Sequence, residues 1–236
     1  MQSDISVIIP AYNEAERLGS TLEQAVDCLS RRGLSYEVLV VDDGSRDRTV
    51  EVAEAFAGKG VRVIRHERNR GKGAAIKTGV LASQGNRVLL SDADASTPFS
   101  ELEKLERWLP EAPVVLGSRA VAGADIRQHQ PFYRELMGKT FNLIIRILGV
   151  RGLNDTQCGF KLLEGDVARE IGAELTIDGF AYDVELVWLA RRHGHRVVEV
   201  GVVWVDSPDS RVDPIRSSLA MLRDVIRMRV RHSGER

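Results

Sequence analysis

The chain has 236 residues, 43% of them hydrophobic and 28% charged, with a formal net charge of −1. That is ordinary globular composition with enough chain for one large core, and the near-neutral balance argues against a molecule-wide attraction to nucleic acid. The two cysteines, Cys28 and Cys158, make no disulfide framework, so a reducing compartment fits. No run of 18 apolar residues offers a bilayer span, and the opening MQSDISVIIP does not read as a signal peptide.

Apolar runs and helical patterns then alternate along the chain. Ser6–Ile9 reads as a buried strand and Leu18–Leu29 as an amphipathic helix. Val38–Val41 is a second strand, followed by a helix over Val50–Phe56 that Asp47 is placed to cap. Val61–Ile64 is a third strand. Gly73–Ala82 is helical, with Ala75, Ile76, Val80 and Leu81 as its apolar stripe. Val88–Leu90 is a fourth strand, and Thr97–Pro98 reads as an N-cap before proline at the first helical position. Val114–Leu116 is a fifth strand. This rhythm predicts an α/β fold with a mostly parallel, doubly wound sheet and helices on both faces.

After Gly117 the rhythm breaks. Phe132–Leu148 is a helical candidate, Phe160–Leu163 a short strand, Val184–Arg192 a helix, Val197–Val205 an apolar strand and Ile215–Arg229 a last helix. No linker or repeat interrupts the chain, so a single domain over 1–236 is expected. From Pro214 onward there are six arginines and two acids, which makes the C-terminus basic.

In an open α/β sheet, ligands bind beyond the carboxyl ends of the strands. Four expected strand ends here carry polar residues: PAYNE (Pro10–Glu14), DDGS (Asp42–Ser45), SDAD (Ser91–Asp94) and GSR (Gly117–Arg119). Turn chemistry explains one or two such ends; four on one edge point to a ligand cleft. NRGKG (Asn69–Gly73) lacks the GxxxxGK[ST] spacing of an ATPase phosphate loop. Its glycines allow close backbone approach, and Lys72 is the candidate contact to a ligand.

SVIIPAYNEAERL, VLVVDDGSRDRT, NRGKGAAIKTG, LLSDADAST and DTQCGFKLL together resemble the inverting family-2 glycosyltransferases of the GT-A fold. Within that family the likeness is to dolichyl-phosphate (polyprenyl-phosphate) glucosyltransferases, with FAYDVEL (Phe180–Leu186) adding to it. The resemblance runs from Ser6 to about Arg229. It implies transfer of glucose from UDP-glucose to a polyprenyl phosphate, with GDP-mannose or another UDP-sugar as the alternative donor and a catalytically silent nucleotide-sugar-binding module as the alternative of another class. It divides the chain into a nucleotide-sugar-binding half (1–117), an acceptor-binding half (118–210) and a basic C-terminal helix (211–236).

The resemblance also implies residue roles. Pro10, Ala11, Tyr12, Glu14, Asp42 and Asp43 line the nucleoside pocket, where Glu14 or Asp42 accepts from ribose hydroxyls or the uracil N–H. Lys72, Asp92, Ala93 and Arg211 meet the rest of the donor. Asp92 and Asp94 bind Mg²⁺ or Mn²⁺, hard cations that use one or two carboxylates plus substrate phosphates; Asp94 is the firmer ligand. Arg119, Arg134 and Lys161 hold the acceptor phosphate. Arg119, Asp155 and Asp183 are the catalytic candidates, Asp155 ahead of Asp183. Cys158 is expected to be a packed small residue, because a single displacement needs no enzyme nucleophile.

A nucleotidyltransferase would need a Gly-rich basic loop directly after the first strand, where this chain has PAYNEAE. The Arg-rich last helix and Phe132–Leu148 lead to an expectation of peripheral attachment at the cytoplasmic face of a membrane. The oligomeric state is open at this point.

Overall fold

The computed structural model describes residues 3–127, 150, 152–205 and 214–233, with side chains of the last helix over 220–231. The expected helix at Phe132–Leu148, and with it Arg134, lies outside the described residues, as does Arg211.

Seven strands form one sheet: β1 (Ile5–Ala11), β2 (Tyr36–Asp42), β3 (Val61–Arg65), β4 (Arg87–Leu90), β5 (Val114–Ser118), β7 (Lys161–Glu164) and β8 (Val197–Gly201). Their order is β3-β2-β1-β4-β7-β5-β8. All are parallel except β7, which runs antiparallel between β4 and β5. A separate ribbon pairs β6 (Asp125–Ile126) with β9 (Val203–Trp204).

Burial on both faces makes these strands near-continuous apolar runs. Ile8, Leu39, Val41, Val88, Leu90, Val114 and Leu116 share one core with α3 (Lys72–Ala82), α5 (Gly165–Glu174), α6 (Tyr182–Arg192) and α7 (Pro214–Ser233). Their neighbours Val7, Ile9, Val38, Val40, Leu89 and Val115 share the other with α1 (Leu18–Arg31), α2 (Thr49–Glu54) and α4 (Leu102–Glu106). The period of two along each strand divides the side chains between the two layers. The doubly wound reading therefore holds.

Four local readings change. The expected strand Val197–Val205 is two strands. A Cβ at Gly201 would lie 2.5 Å from the backbone at Gly123 and Ala124, so that segment crosses here and β9 turns to pair with β6. Thr97 is no helix cap. Pro98 is extended (ψ 143°), a 3₁₀ turn follows at Phe99–Glu101, and the Thr97 hydroxyl faces the Cys158 sulfur at 3.9 Å. In α3, Ala75, Ile76 and Val80 are buried as expected, whereas Leu81 is exposed. Asp47 does take the Thr49 amide at 3.0 Å, although the N-cap position belongs to Arg48.

The direction of β7 matters most for function. Lys161, its first residue, stands opposite both Leu90 and Leu116. The segment Asp155–Phe160 therefore arrives at the same edge where β1, β2, β4 and β5 end.

Candidate active site

Each strand end is fastened to the next. Asn13 has a positive φ of 57°, a conformation asparagine tolerates better than most residues. Its amide donates to Ser45 Oγ (2.8 Å), and the Arg46 amide returns to its Oδ1 (2.8 Å). The Glu14 amide donates to Thr49 Oγ1 at 2.7 Å. Between this end and the loop after β3 lies a pocket of about 460 Å³, lined by Tyr12, Gly44–Arg46 and Arg65–Asn69. That is the size class of small-ligand sites.

The acids expected around this pocket have distinct roles. Asp42 is fully buried at the end of β2; the Ser45 amide approaches its oxygens at 3.3 and 3.4 Å, and Arg65 lies 3.8 Å away. Asp43 accepts from His66 Nδ1 (2.7 Å) and from the Arg70 (2.9 Å) and Gly71 (2.8 Å) amides, so its carboxylate serves the loop. Glu14 is held in a fork by Arg17, whose Nε and Nη2 each lie 2.8 Å from a carboxylate oxygen. Arg17 also reaches Asp94 at 3.7 Å, which ties the end of β1 to the acids after β4. Ala11 is buried beside Tyr12, and Pro10 is half-buried one residue earlier.

Asp92 and Asp94 follow β4. Lys72, the first residue of α3, places its ammonium 2.5 Å from Asp92 Oδ1. Burial disfavours charge on Asp92, but Lys72, supported by Lys161 and Arg119, outweighs it and holds the carboxyl below its ordinary value. Lys72 likewise resists burial and is pushed up by Asp92, Asp183 and Asp94. Asp94 Oδ1 accepts from the Ser96 amide (3.0 Å) and hydroxyl (2.8 Å). Ala95 between them has φ 49°, a strained conformation for alanine of the kind that gathers at functional sites. Ala93 is buried, its carbonyl accepting from Thr21 Oγ1 at 2.7 Å.

Gly159 explains how Asp92 fits. A Cβ there would lie 2.1 Å from Asp92 Oδ2, so the carboxylate rests in the space glycine leaves. Among the described residues no three His, Cys, Asp or Glu side chains gather as a metal cage. The chain thus offers a pair of hard carboxylates. That suits a divalent cation whose remaining ligands come from a phosphorylated substrate, the usual arrangement for Mg²⁺.

Arg119 follows β5. It donates to Asp155 through Nε (2.7 Å), Nη2 (2.9 Å) and its own amide (3.0 Å), and stacks on Trp204 at 5.3 Å. Among the described residues nothing accepts from its Nη1. Burial opposes charge on Asp155, but Arg119 overrides it and holds the carboxyl below its ordinary value. Glu199 on β8 supports this corner by accepting from the Asn154 and Asp155 amides, both at 2.7 Å, and from Ser118 Oγ at 3.0 Å.

Lys161 requires a correction. It was expected to hold an acceptor phosphate, yet it is fully buried, and its ammonium is enclosed by the Asp183 carboxylate and the Cys158 carbonyl. Asp183, the second catalytic candidate, is the second residue of α6 and is committed to Lys161. Cys158 is buried as expected, and burial pushes its thiol up, away from reactivity.

Strand-end reasoning thus found the DDGS, SDAD and GSR corners and missed Arg17, His66, Glu199 and Trp204. Glu199 carried a faint signal as the lone acid within VVEVGVVWV. His66 had none, because Asp43 and Thr78 are distant in sequence; Arg17 had its spacing of three from Glu14, but not its reach to Asp94.

The glycosyl transferase family 2 model matches residues 6–172. Over 97% of its length the chain is 36% identical to a dolichyl-phosphate beta-glucosyltransferase of Dictyostelium discoideum, of which it covers 74%. It is 35% identical to the Homo sapiens protein of that name, covering 97% of this chain and 75% of the other. Among solved structures, glucosyl-3-phosphoglycerate synthase from Mycobacterium tuberculosis, in complex with Mn²⁺, UDP-glucose and phosphoglyceric acid, superposes with a TM-score of 0.70. The identity is 21%, with 98% of this chain and 80% of that one covered. Mannosyl-3-phosphoglycerate synthase from Rubrobacter xylanophilus gives 0.69 at 20% identity, covering 99% and 76%; at these identities the likeness is one of fold. A GT-A sheet whose carboxyl edge gathers the motifs of residues 6–172, in a chain alike over nearly its whole length to these glucosyltransferases, belongs to glycosyl transferase family 2.

Proposed function

We propose that the chain transfers glucose from UDP-glucose to a dolichyl-type polyprenyl phosphate, with inversion at the anomeric carbon and with Mg²⁺ or Mn²⁺ as cofactor. The observation that carries this reading is the meeting of Asp92, Asp94, Lys72 and Arg119 at one sheet edge. The 36% identity to a dolichyl-phosphate beta-glucosyltransferase over 97% of the chain supports the choice of substrates.

The donor's nucleoside fits the pocket beside Tyr12, lined by Gly44–Arg46 and Arg65–Asn69. Asp92 and Asp94 hold the cation, which when bound neutralises charge on the diphosphate. Lys72 adds a second cation beside the same leaving group. The acceptor phosphate is already anionic near neutral pH, its second pKa being about 6. An acceptor oxygen forms its bond to the anomeric carbon as the bond to the β-phosphate oxygen breaks, and the electron pair leaves with UDP. Such a nucleophile needs placing rather than deprotonating.

Asp155 therefore acts as a positioning residue. Its oxygens are taken by Arg119, and it holds the guanidinium so that Nη1 is presented to the acceptor phosphate. Asp183 neutralises buried Lys161 in the same wall. Arg134 and Arg211 belong to this reading as further phosphate contacts. Peripheral contact with the cytoplasmic face of a membrane belongs to it too, because the acceptor's tail lies in a bilayer; no described helix is long and apolar enough to cross one.

The test is a panel of radiolabelled UDP-glucose, GDP-mannose and other UDP-sugars with a short polyprenyl phosphate. Labelled lipid from UDP-glucose with release of UDP is expected. Product from GDP-mannose alone would sink the glucose assignment, and pyrophosphate release would sink the reaction class.

A further inference from the structure

Lys72 reaches Asp92 from a loop held at both sides. On one side the Gly73 and Ala74 amides donate to the Asp178 carbonyl at 2.7 and 3.2 Å, and a Cβ at Gly71 would lie 2.3 Å from that oxygen. On the other side stands Asp43, which takes the Arg70 and Gly71 amides, the two that immediately precede Lys72.

Asp43 is in turn backed by His66. Both side chains are almost completely buried, 6% exposed for His66 and 5% for Asp43. An ionised carboxylate only accepts, so His66 Nδ1 carries the proton shared with Asp43 at 2.7 Å. In the neutral ring Nε2 then accepts from Thr78 Oγ1 at 2.9 Å. Thr78 lies on α3, the helix that Lys72 begins. His66 itself continues the pairing of β3 with β2, its amide donating to the Asp42 carbonyl at 2.8 Å. One imidazole thus joins the end of β3, the carboxylate that holds the loop and the body of the helix carrying Lys72.

We infer that His66 is a positioning residue for the donor end of the site. Acting through Asp43 and the Arg68–Gly71 loop, it fixes Lys72 against Asp92 and hence sets how well the donor's diphosphate is held. The inference rests on the reading of Lys72 as a donor contact. Without the imidazole, Asp43 keeps only the two loop amides as donors, its side chain is no longer tied to β3 and α3, and the loop amides lose a fixed anchor. The loop is free to shift, and displacements of about 1 Å at a catalytic group cost on the order of 10² in rate.

A double-mutant cycle tests this with UDP-glucose as donor and a short polyprenyl phosphate as acceptor. His66→Ala is expected to raise the donor KM about tenfold or more, on the scale of one lost charge-assisted bond, with the acceptor KM unchanged. His66→Asn keeps a donor near the Nδ1 position and should recover most of the loss. His66→Gln, whose amide mimics Nε2 and reaches only Thr78, should not. In a Lys72→Ala background, His66→Ala should add nothing further.

Effects that add in full in that background overturn the clamp while leaving Lys72 as a donor contact. A silent Lys72→Ala overturns both. A fall in melting temperature and specific activity with both KM values unchanged makes His66 merely structural. Failure of the wild-type chain to use UDP-glucose counts against the proposed donor alone, and the cycle is then read with the sugar nucleotide that is turned over.

Discussion

Asp92 has little room to move. Lys72 holds one oxygen at 2.5 Å and the backbone at Gly159 limits the other. A Gly159→Ala substitution places a methyl 2.1 Å from Oδ2, and the end of a side chain yields more easily than a strand's lead-in. The carboxylate should be displaced and metal-dependent turnover should fall on the order of 10²-fold, while the circular dichroism spectrum stays that of wild type. Unchanged turnover would show that Asp92 does not need this placement. Asp92 stood out in the sequence only beside the other polar strand ends and the family resemblance, because a carboxylate pair closing one strand is explained as well by a turn. Its glycine cradle did not, since Gly159 becomes its neighbour only through the direction of β7. Lys161 misled for the same reason. The resemblance implied a phosphate contact for a lysine inside the expected strand Phe160–Leu163, and only the sheet shows it sealed between β4 and β5.

At the scale of elements, β7 is what the sequence could not orient. Four residues, KLLE, carry no mark of direction, and the βα rhythm that would have set one breaks after Gly117. The antiparallel insertion brings Asp155–Phe160 to the edge, and two acids fix that segment: Asp155 to Arg119 and Glu199 to the Asn154 and Asp155 amides. Arg119 depresses the Asp155 pKa in the folded state, against burial. A carboxylate with a depressed folded pKa contributes stability above its unfolded value of about 3.9, and this is lost as pH falls through the folded value. Asp155→Asn should therefore lower the urea midpoint at pH 7, by an amount equivalent to about 3 kcal/mol for a broken buried pair. The gap to wild type should narrow as pH drops below about 3.9. A gap that stays constant down to pH 2 would mean that the charge on Asp155 does not stabilise the corner. At neutral pH the same variant should raise the acceptor KM more than the donor KM, because it frees Arg119.

For the whole molecule, the near-zero net charge conceals a separation of charge. The outer side of α7 presents Leu222, Ile226 and Val230 in line, with Arg223 and Arg227 along one flank and Arg229 along the other. Ile226 is 49% exposed, whereas Val225 and Met228 on the inner side are buried in the core. A helix with an apolar inner face for the fold and an apolar outer strip between arginines suits the plane of an anionic bilayer. That is where the proposed acceptor must be met. Each arginine near such a surface contributes about 1 kcal/mol, or roughly fivefold in partition. The chain should therefore float with vesicles of mixed neutral and anionic phospholipid and not with purely neutral ones, and its binding should weaken as salt shortens the Debye length. Arg227→Glu combined with Arg229→Glu removes two attractions and adds two repulsions. The pair should abolish flotation and raise the KM for a long polyprenyl phosphate in vesicles, yet leave turnover of a short soluble acceptor unchanged, since among the described residues neither arginine is hydrogen-bonded or ion-paired to Asp92, Asp94, Lys72, Arg119 or Asp155. Equal loss on both acceptors would place α7 in the fold's support instead, and equal flotation with neutral vesicles would leave the arginines no role in docking.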